Sequence, residues 1–162
     1  MTTPTTAAER LSALGLELPP PPVPVAAFEP YVRAGDTVYV SGQIATRDGA
    51  LVADGVLGAG LDVEAGQDAA RACALNVLAQ LAAAAGGLDA VTRLVRVTVF
   101  VASTPDFTRH PQVADGASQL FRDVLGPAGA HARAAVGVAS LPLGTPVEVD
   151  AVAILDPERA AA

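Results

Sequence analysis

The sequence predicts an α+β fold: one mixed β-sheet of about six strands, with two helices packed on a single face. Three observations lead there. Runs rich in β-branched residues are separated by two long stretches of helical periodicity, in the order ββ(β)αβαββ. The strands are apolar on both sides, yet two helices can cover only one. The chain has 162 residues, 51% hydrophobic and 17% charged, which makes one domain with little charge for a monomer's surface. The uncovered sheet face and the shortage of charge both point to an oligomer that buries one flank.

The elements follow in order. Thr6, with Glu9 three residues on, makes a capping box; Leu11 and Leu14 continue a short helix that Gly15 can close in a left-handed cap. Leu18-Pro-Pro-Pro-Pro-Val-Pro is an extended connector, because proline removes backbone donors and fixes φ. Residues 1–24 therefore form an N-terminal helix and proline-rich extension, and residues 25–162 a single domain. Segments 29–34 and 37–45 read as strands around a Gly35-Asp36 turn, and Asp48-Gly49 is a second turn. The glycine-rich 54–60 segment is a loop with room for a short edge strand. Asp62 caps a helix over 63–85 that stops at Gly86-Gly87, with Ala65, Ala69, Ala72, Cys73, Val77, Leu78 and Leu81 toward the core. Residues 94–102 form a strand. Thr104-Pro105-Asp106 opens the second long helix, to about Leu125, with Val113, Ala117, Leu120, Phe121 and Val124 inward. Segments 132–139 and 147–155 close the sheet through Leu141-Pro142-Leu143-Gly144.

Composition excludes several functions. The net charge is −7, no lysine is present, and the ten arginines are scattered. Binding to nucleic acid or to an anionic membrane, which needs clustered cations, is not expected. The absence of lysine removes Schiff-base and pyridoxal-phosphate chemistry and the phosphate-loop lysine. Cys73 is the single cysteine, expected as buried packing, so no disulfide framework or thiolate metal cluster can form. Gly55, Gly58 and Gly60 make no dinucleotide fingerprint, there is no Gly-x-Ser-x-Gly elbow, and His110 and His131 lack metal-ligand spacing. A protein without cofactor or metal is expected. Met1-Thr-Thr-Pro does not open like a signal peptide, and no apolar run reaches the ~18 residues that span a bilayer. A cytoplasmic location is the expectation. His110 is expected in a surface turn before Pro111, and His131 in solvent ahead of a strand.

Arg133 stands out at the start of a small, apolar strand, where a guanidinium needs a bidentate anion or water. It reads either as a strand-end arginine, exposed or paired with Glu148 or Asp150, or as a carboxylate clamp. Glu148 and Asp150 are two apart on a strand and so face one side. They read either as solvated edge-strand carboxylates or as holding a positioned acid–base group.

Three motifs carry a resemblance. Val38-Tyr-Val-Ser-Gly-Gln-Ile, Val97-Thr-Val-Phe-Val, and Arg133 followed by Val136-Gly-Val-Ala-Ser-Leu-Pro and Val147-Glu-Val occur in order within residues 26–156. Together they resemble the RidA/YjgF family, and Ala8-Glu-Arg-Leu to the proline run looks like the entry to a longer branch. The resemblance implies a chorismate-mutase-like α+β fold, assembled as a homotrimer around a central barrel, with a cleft at each subunit interface. It also implies hydrolysis of 2-imino acids or enamines to 2-oxo acids and ammonia. In that pattern Arg133 holds the substrate carboxylate and Glu148 orients the attacking water. Ser41, Gly42 and the Ala135 backbone line the pocket, and Tyr31 is contributed across the interface. Two positions depart from the deaminating branch: Ala135 stands where cysteine is frequent, and Ala114 where an asparagine lies, beside an insertion near residues 109–112. Both are expected in the pocket wall. The alternative function is a non-catalytic trimer that binds a small carboxylate; the acidic, lysine-free composition argues against the ribonuclease label some members carry.

Overall fold

The computed structural model describes residues 6–159; what was expected of residues 1–5 and 160–162 lies outside it. Helix α1 (Ala7–Ala13) is followed by β1 (Tyr31–Ala34) and β2 (Thr37–Ile44). Two short ladders come next, β3 (Thr46–Arg47) with β4 (Ala50–Leu51) and β5 (Val56–Leu57) with β6 (Gly60–Leu61). Then come α2 (Val63–Ala85), β7 (Val91–Ala102), α3 (His110–Leu125), β8 (Ala132–Val138) and β9 (Val147–Leu155). The main sheet has five strands, in the order β1-β2-β9-β7-β8, with β7 and β8 parallel and the other neighbours antiparallel.

The sixth strand expected in that sheet is absent from it. Gly55, Gly58 and Gly60 hold φ of +132°, +88° and +96°, so the 54–60 segment curls into its own small ladder. The second long helix starts later than expected, at His110 and not near Thr104. Proline accounts for this: a helix opened at Pro105 would hold Pro111 in its interior, where proline lacks the N–H and clashes with the preceding turn, whereas a start at His110 puts Pro111 in the first turn. Helix α2 keeps its expected bounds, fixed by Asp62 accepting from the Ala65 N–H and by Gly86 at φ +74°.

Along β9 every second residue is buried, with Val147, Val149, Ala151, Ala153 and Leu155 beneath the helices. Helices α2 and α3 cover that face and touch closely where both carry glycine. A Cβ on Gly66 would sit 2.9 Å from a Val113 methyl, and one on Gly116 would run into the Gln67 carbonyl oxygen. Phe121, Leu78, Leu81, Leu94 and Leu120 fill the core between the layers. The N-terminal extension packs over the helices. Arg10 Nε donates to the Val124 carbonyl at 2.6 Å, and Gln80 Nε2 to that of Pro22 at 2.6 Å. Among the described residues no helix lies on the opposite sheet face, where Val32 and Tyr39 are 54% and 51% exposed. Among the described residues no helix is long and apolar enough to cross a membrane.

Candidate functional site

Arg133 sits on β8, an edge strand, opposite Val97 of β7. Paired residues point to the same side of a sheet, and Val97 is buried under the helices, so Arg133 points to the helix side. There it meets α3. Its Nη1 donates to Asp115 Oδ1 at 2.9 Å and to Ser118 Oγ at 3.1 Å, and its Nη2 to the Pro111 carbonyl at 3.3 Å. The expected alternative partners, Glu148 and Asp150, are not the ones used; the ion pair is with Asp115. Those three bonds spend both Nη1 hydrogens and one on Nη2. Among the described residues the Nε–H and the second Nη2–H are free, enough for one carboxylate.

The guanidinium is held further back by a directional relay. The Gly129 carbonyl can only accept, so His131 Nδ1, 2.7 Å away, must carry a hydrogen. His131 Nε2 then accepts from Ser118 Oγ at 3.0 Å, which leaves a Ser118 lone pair for Arg133. Burial holds the His131 pKa below its ordinary value, against the Gly129 bond and with help from the Arg133 and Arg122 charges. His131 is thus half-buried and bonded at both nitrogens, and not solvated as expected. His110 also departs from expectation: it opens α3 with Nε2 3.0 Å from Ser103 Oγ.

Glu148 lies elsewhere. It alternates with buried Val147 and Val149, so it faces away from the helices, on the other side of the sheet from Arg133. It is level with Phe100 of β7 and Val136 of β8, two strands across and three residues along from Arg133. That separation is roughly 14 Å between Cα atoms. β9 is the central strand of five, so edge solvation does not account for this carboxylate. Burial, and then the neighbouring Asp150, raise its pKa. Asp150 spends one oxygen on the Thr98 N–H at 3.2 Å.

Ser41 and Gly42 form the bulge in β2 between Val40 and Gln43, beside β9. Gln43 Nε2 donates back to the Ser41 carbonyl at 3.0 Å, and Ser41 Oγ to that of Glu29 at 2.7 Å. Gly42 lets the Glu148 carboxylate lie against the bulge: a Cβ there would overlap Glu148 Oε1, and that side chain would have to move aside. Tyr31, half-buried on β1, pairs with Val40 at the far edge, roughly 19 Å across the strands from β8. One chain therefore keeps these residues apart: Arg133 with Ala135 on one edge, Glu148 with the Ser41-Gly42 bulge on the central strands, and Tyr31 on the opposite edge, on the helix side.

Of the two departures, Ala135 is part-buried on the Arg133 side of β8, whereas Ala114 is fully buried in the core and lines no wall. The α3 residues that meet Arg133 are Asp115 and Ser118, which sequence reading did not single out. A signal existed in their i, i+3 spacing on the polar side of α3, but not in which strand that side would face. Cys73 is buried, as expected, with Sγ donating to the Val147 carbonyl at 3.3 Å. Among the described residues no group of three or more His, Cys, Asp or Glu could hold a metal ion.

Residues 8–155 match a family model described as "YjgF/chorismate mutase-like, putative endoribonuclease". Protein TCP17 of Trypanosoma cruzi is 49% identical over 92% of this chain and 94% of its own. The 2-iminobutanoate/2-iminopropanoate deaminase of Dermatophagoides farinae is 27% identical over 87% of this chain and 95% of its own. Among solved structures, protein Atu1372 of Agrobacterium tumefaciens, of unknown function, superposes with a TM-score of 0.86. It is 41% identical over 93% of this chain and 92% of its own.

Proposed function

The chain belongs to the RidA/YjgF family, and from that premise we propose that it hydrolyses small 2-imino acids or their enamines to 2-oxo acids and ammonia. The observation that carries this reading is Arg133: a guanidinium fixed by three protein acceptors, with two N–H groups left over at a strand edge. Such a fork suits a carboxylate, and the relative named as a 2-iminobutanoate/2-iminopropanoate deaminase acts on small carboxylates.

Iminium carbons are electrophilic without a metal or cofactor. What the protein must supply is a grip on the carboxylate and a water held at the right face. In this reading Arg133 provides the grip, with the Ala135 backbone beside it. Glu148 orients the water, aided by the Ser41-Gly42 bulge and Tyr31. These two groups are separated within one chain, so the reading requires a second copy to bring its Glu148, Gly42 and Tyr31 to Arg133. A cytoplasmic homotrimer whose sheet faces line a central barrel meets that requirement and covers Val32 and Tyr39.

One observation favours a second reading, in which the cleft binds a small carboxylate without turnover. Arg133 already has a carboxylate partner in Asp115, 62% exposed, with which a ligand must share the guanidinium. That reading expects a small 2-oxo acid to raise the melting temperature in an Arg133-dependent way, without catalysis. Nucleolysis has less support, since a chain of net charge −7 without lysine offers little to a phosphate backbone.

The experiment couples the purified protein to an amino-acid oxidase or dehydratase that releases 2-imino acids and follows loss of the imine. Faster loss than in buffer is expected, and Arg133→Ala should abolish it. A wild-type rate equal to buffer, or an undiminished rate in the variant, rules the hydrolytic reading out.

A further inference from the structure

Arg133, Ala135 and Gly137 share one side of β8, the side on which α3 packs. Arg133 stands at one end and His110 at the other. A Cβ on Gly137 would lie 2.6 Å from His110 Nε2 and 2.9 Å from Ser103 Oγ, so the strand has glycine where the imidazole comes down on it. Ser103 Oγ holds that ring at 3.0 Å from Nε2, and the edge-on Phe107 ring, 5.2 Å between centroids, fixes its plane. Among the described residues Nδ1 has no hydrogen-bond partner. The Arg133 guanidinium is tied to the neighbouring residue, since its Nη2 donates to the carbonyl of Pro111.

The other groups near Arg133 are committed. His131 uses both ring nitrogens, and Asp115 is the counterion of the arginine. Glu148 of the same chain is on the wrong face. His110 is therefore the ring on this side of β8 with a nitrogen to spare, and imidazole is the side chain suited to taking and giving a proton near neutral pH.

We propose that His110, held by Ser103 over Gly137, is the acid–base group of the Arg133 site between β8 and α3. This rests on the hydrolytic reading above and assigns the proton transfers within it. As the water oxygen bonds to the iminium carbon, the carbon–nitrogen π pair moves to nitrogen and a water proton passes to His110. The imidazolium then returns that proton to the amino nitrogen of the carbinolamine. The carbon–nitrogen bond breaks with its pair on nitrogen, the hydroxyl oxygen forms the carbonyl, and its proton leaves with ammonia as ammonium. One iminium and one water become one 2-oxo acid and one ammonium, and His110 ends as it began.

The test compares wild type, Arg133→Ala, His110→Gln and Gly137→Ala in the imine-loss assay, each checked for an unchanged circular-dichroism spectrum. His110→Gln is expected to lower kcat by about 100-fold with KM nearly unchanged, whereas Arg133→Ala, which removes the grip on the carboxylate, abolishes turnover. Gly137→Ala, which displaces the ring without removing it, should move kcat the same way. A His110→Gln enzyme within about threefold of wild-type kcat, beside an inactive Arg133→Ala, overturns the role of His110 and leaves the hydrolytic reading standing. A wild type without turnover overturns both. A second measurement needs no turnover: adding pyruvate, a 2-oxo acid, should shift the His110 ring signals in a proton–carbon NMR spectrum of wild type but not of Arg133→Ala. Unmoved His110 signals while pyruvate perturbs residues around Arg133 also overturn the proposal.

Discussion

Glu148 is a carboxylate kept where its charge is disfavoured: half-buried, beside Asp150, with no hydrogen bond to its own oxygens among the described residues. Burial first and Asp150 second raise its pKa, so the folded chain holds this proton more tightly than the unfolded chain does. Stability from that difference is fully present below the ordinary glutamate range and is lost as the pH rises through the raised value. Glu148→Gln removes the loss. The variant should melt above wild type at about pH 7, and the gain should vanish near pH 4, as scanning calorimetry across that range would record. A variant that melts lower at neutral pH would mean the carboxylate has a stabilising partner. A residue that lowers stability where it stands suits a functional site, and this much was legible, because a lone arginine and a carboxylate pair in apolar strands are conspicuous. What surrounds them was not. Asp115 is 18 residues from Arg133 and meets it only because the β7–α3–β8 crossover lays α3 over the edge strand. His131 was nearer to being readable: it is two residues before Arg133, and alternation sends both toward α3.

At the scale of elements, the crossing of α2 and α3 decides where Asp115 and Ser118 meet β8. Gly116 lies between the helices, next to Asp115, with no room for a side chain before the Gln67 carbonyl. Alanine there would gain the ~0.5–1 kcal/mol that glycine costs a helix interior. It would also push against backbone, which cannot rotate aside as a side chain can, at about 1–3 kcal/mol. The overlap wins. Gly116→Ala should destabilise the protein by about 1–2 kcal/mol in urea unfolding and reduce binding or turnover at Arg133 as α3 shifts. A stabilised variant would show that the helices separate freely. Elements with strong local punctuation are legible to their ends. Asp62 and Gly86 bound α2, and strict alternation marks β9. Elements set by competition between local preferences are hard to place from sequence: Thr104-Pro105-Asp106 resembles a helix start, but Pro111 would fall inside that helix, which begins instead at His110.

For the whole molecule, the uncovered sheet face was expected from apolar strands and two helices, and Val32, Tyr39 and Val136 remain exposed on it. The separation of the site residues was not legible, because sequence order says nothing of which face of the sheet each strand turns outward. It makes the proposed trimer testable through function. If a working site takes Arg133 from one subunit and Glu148 from its neighbour, each of three interfaces carries one site. A trimer containing only Arg133→Ala chains has none intact, and neither has one containing only Glu148→Gln chains. In a mixed trimer, one interface always pairs an intact Arg133 with an intact Glu148, whichever variant is in the majority, because the ring closes on itself. With equal amounts and random assembly, about a quarter of all sites are whole. Co-expressing the two inactive variants should therefore restore about a quarter of wild-type turnover, while mixing preassembled trimers without subunit exchange should restore none. If the residues instead acted within one subunit, co-expression would leave every site carrying one defect. Mixed assemblies that form, shown by a mass tag on one variant, yet stay inactive would therefore exclude a shared site.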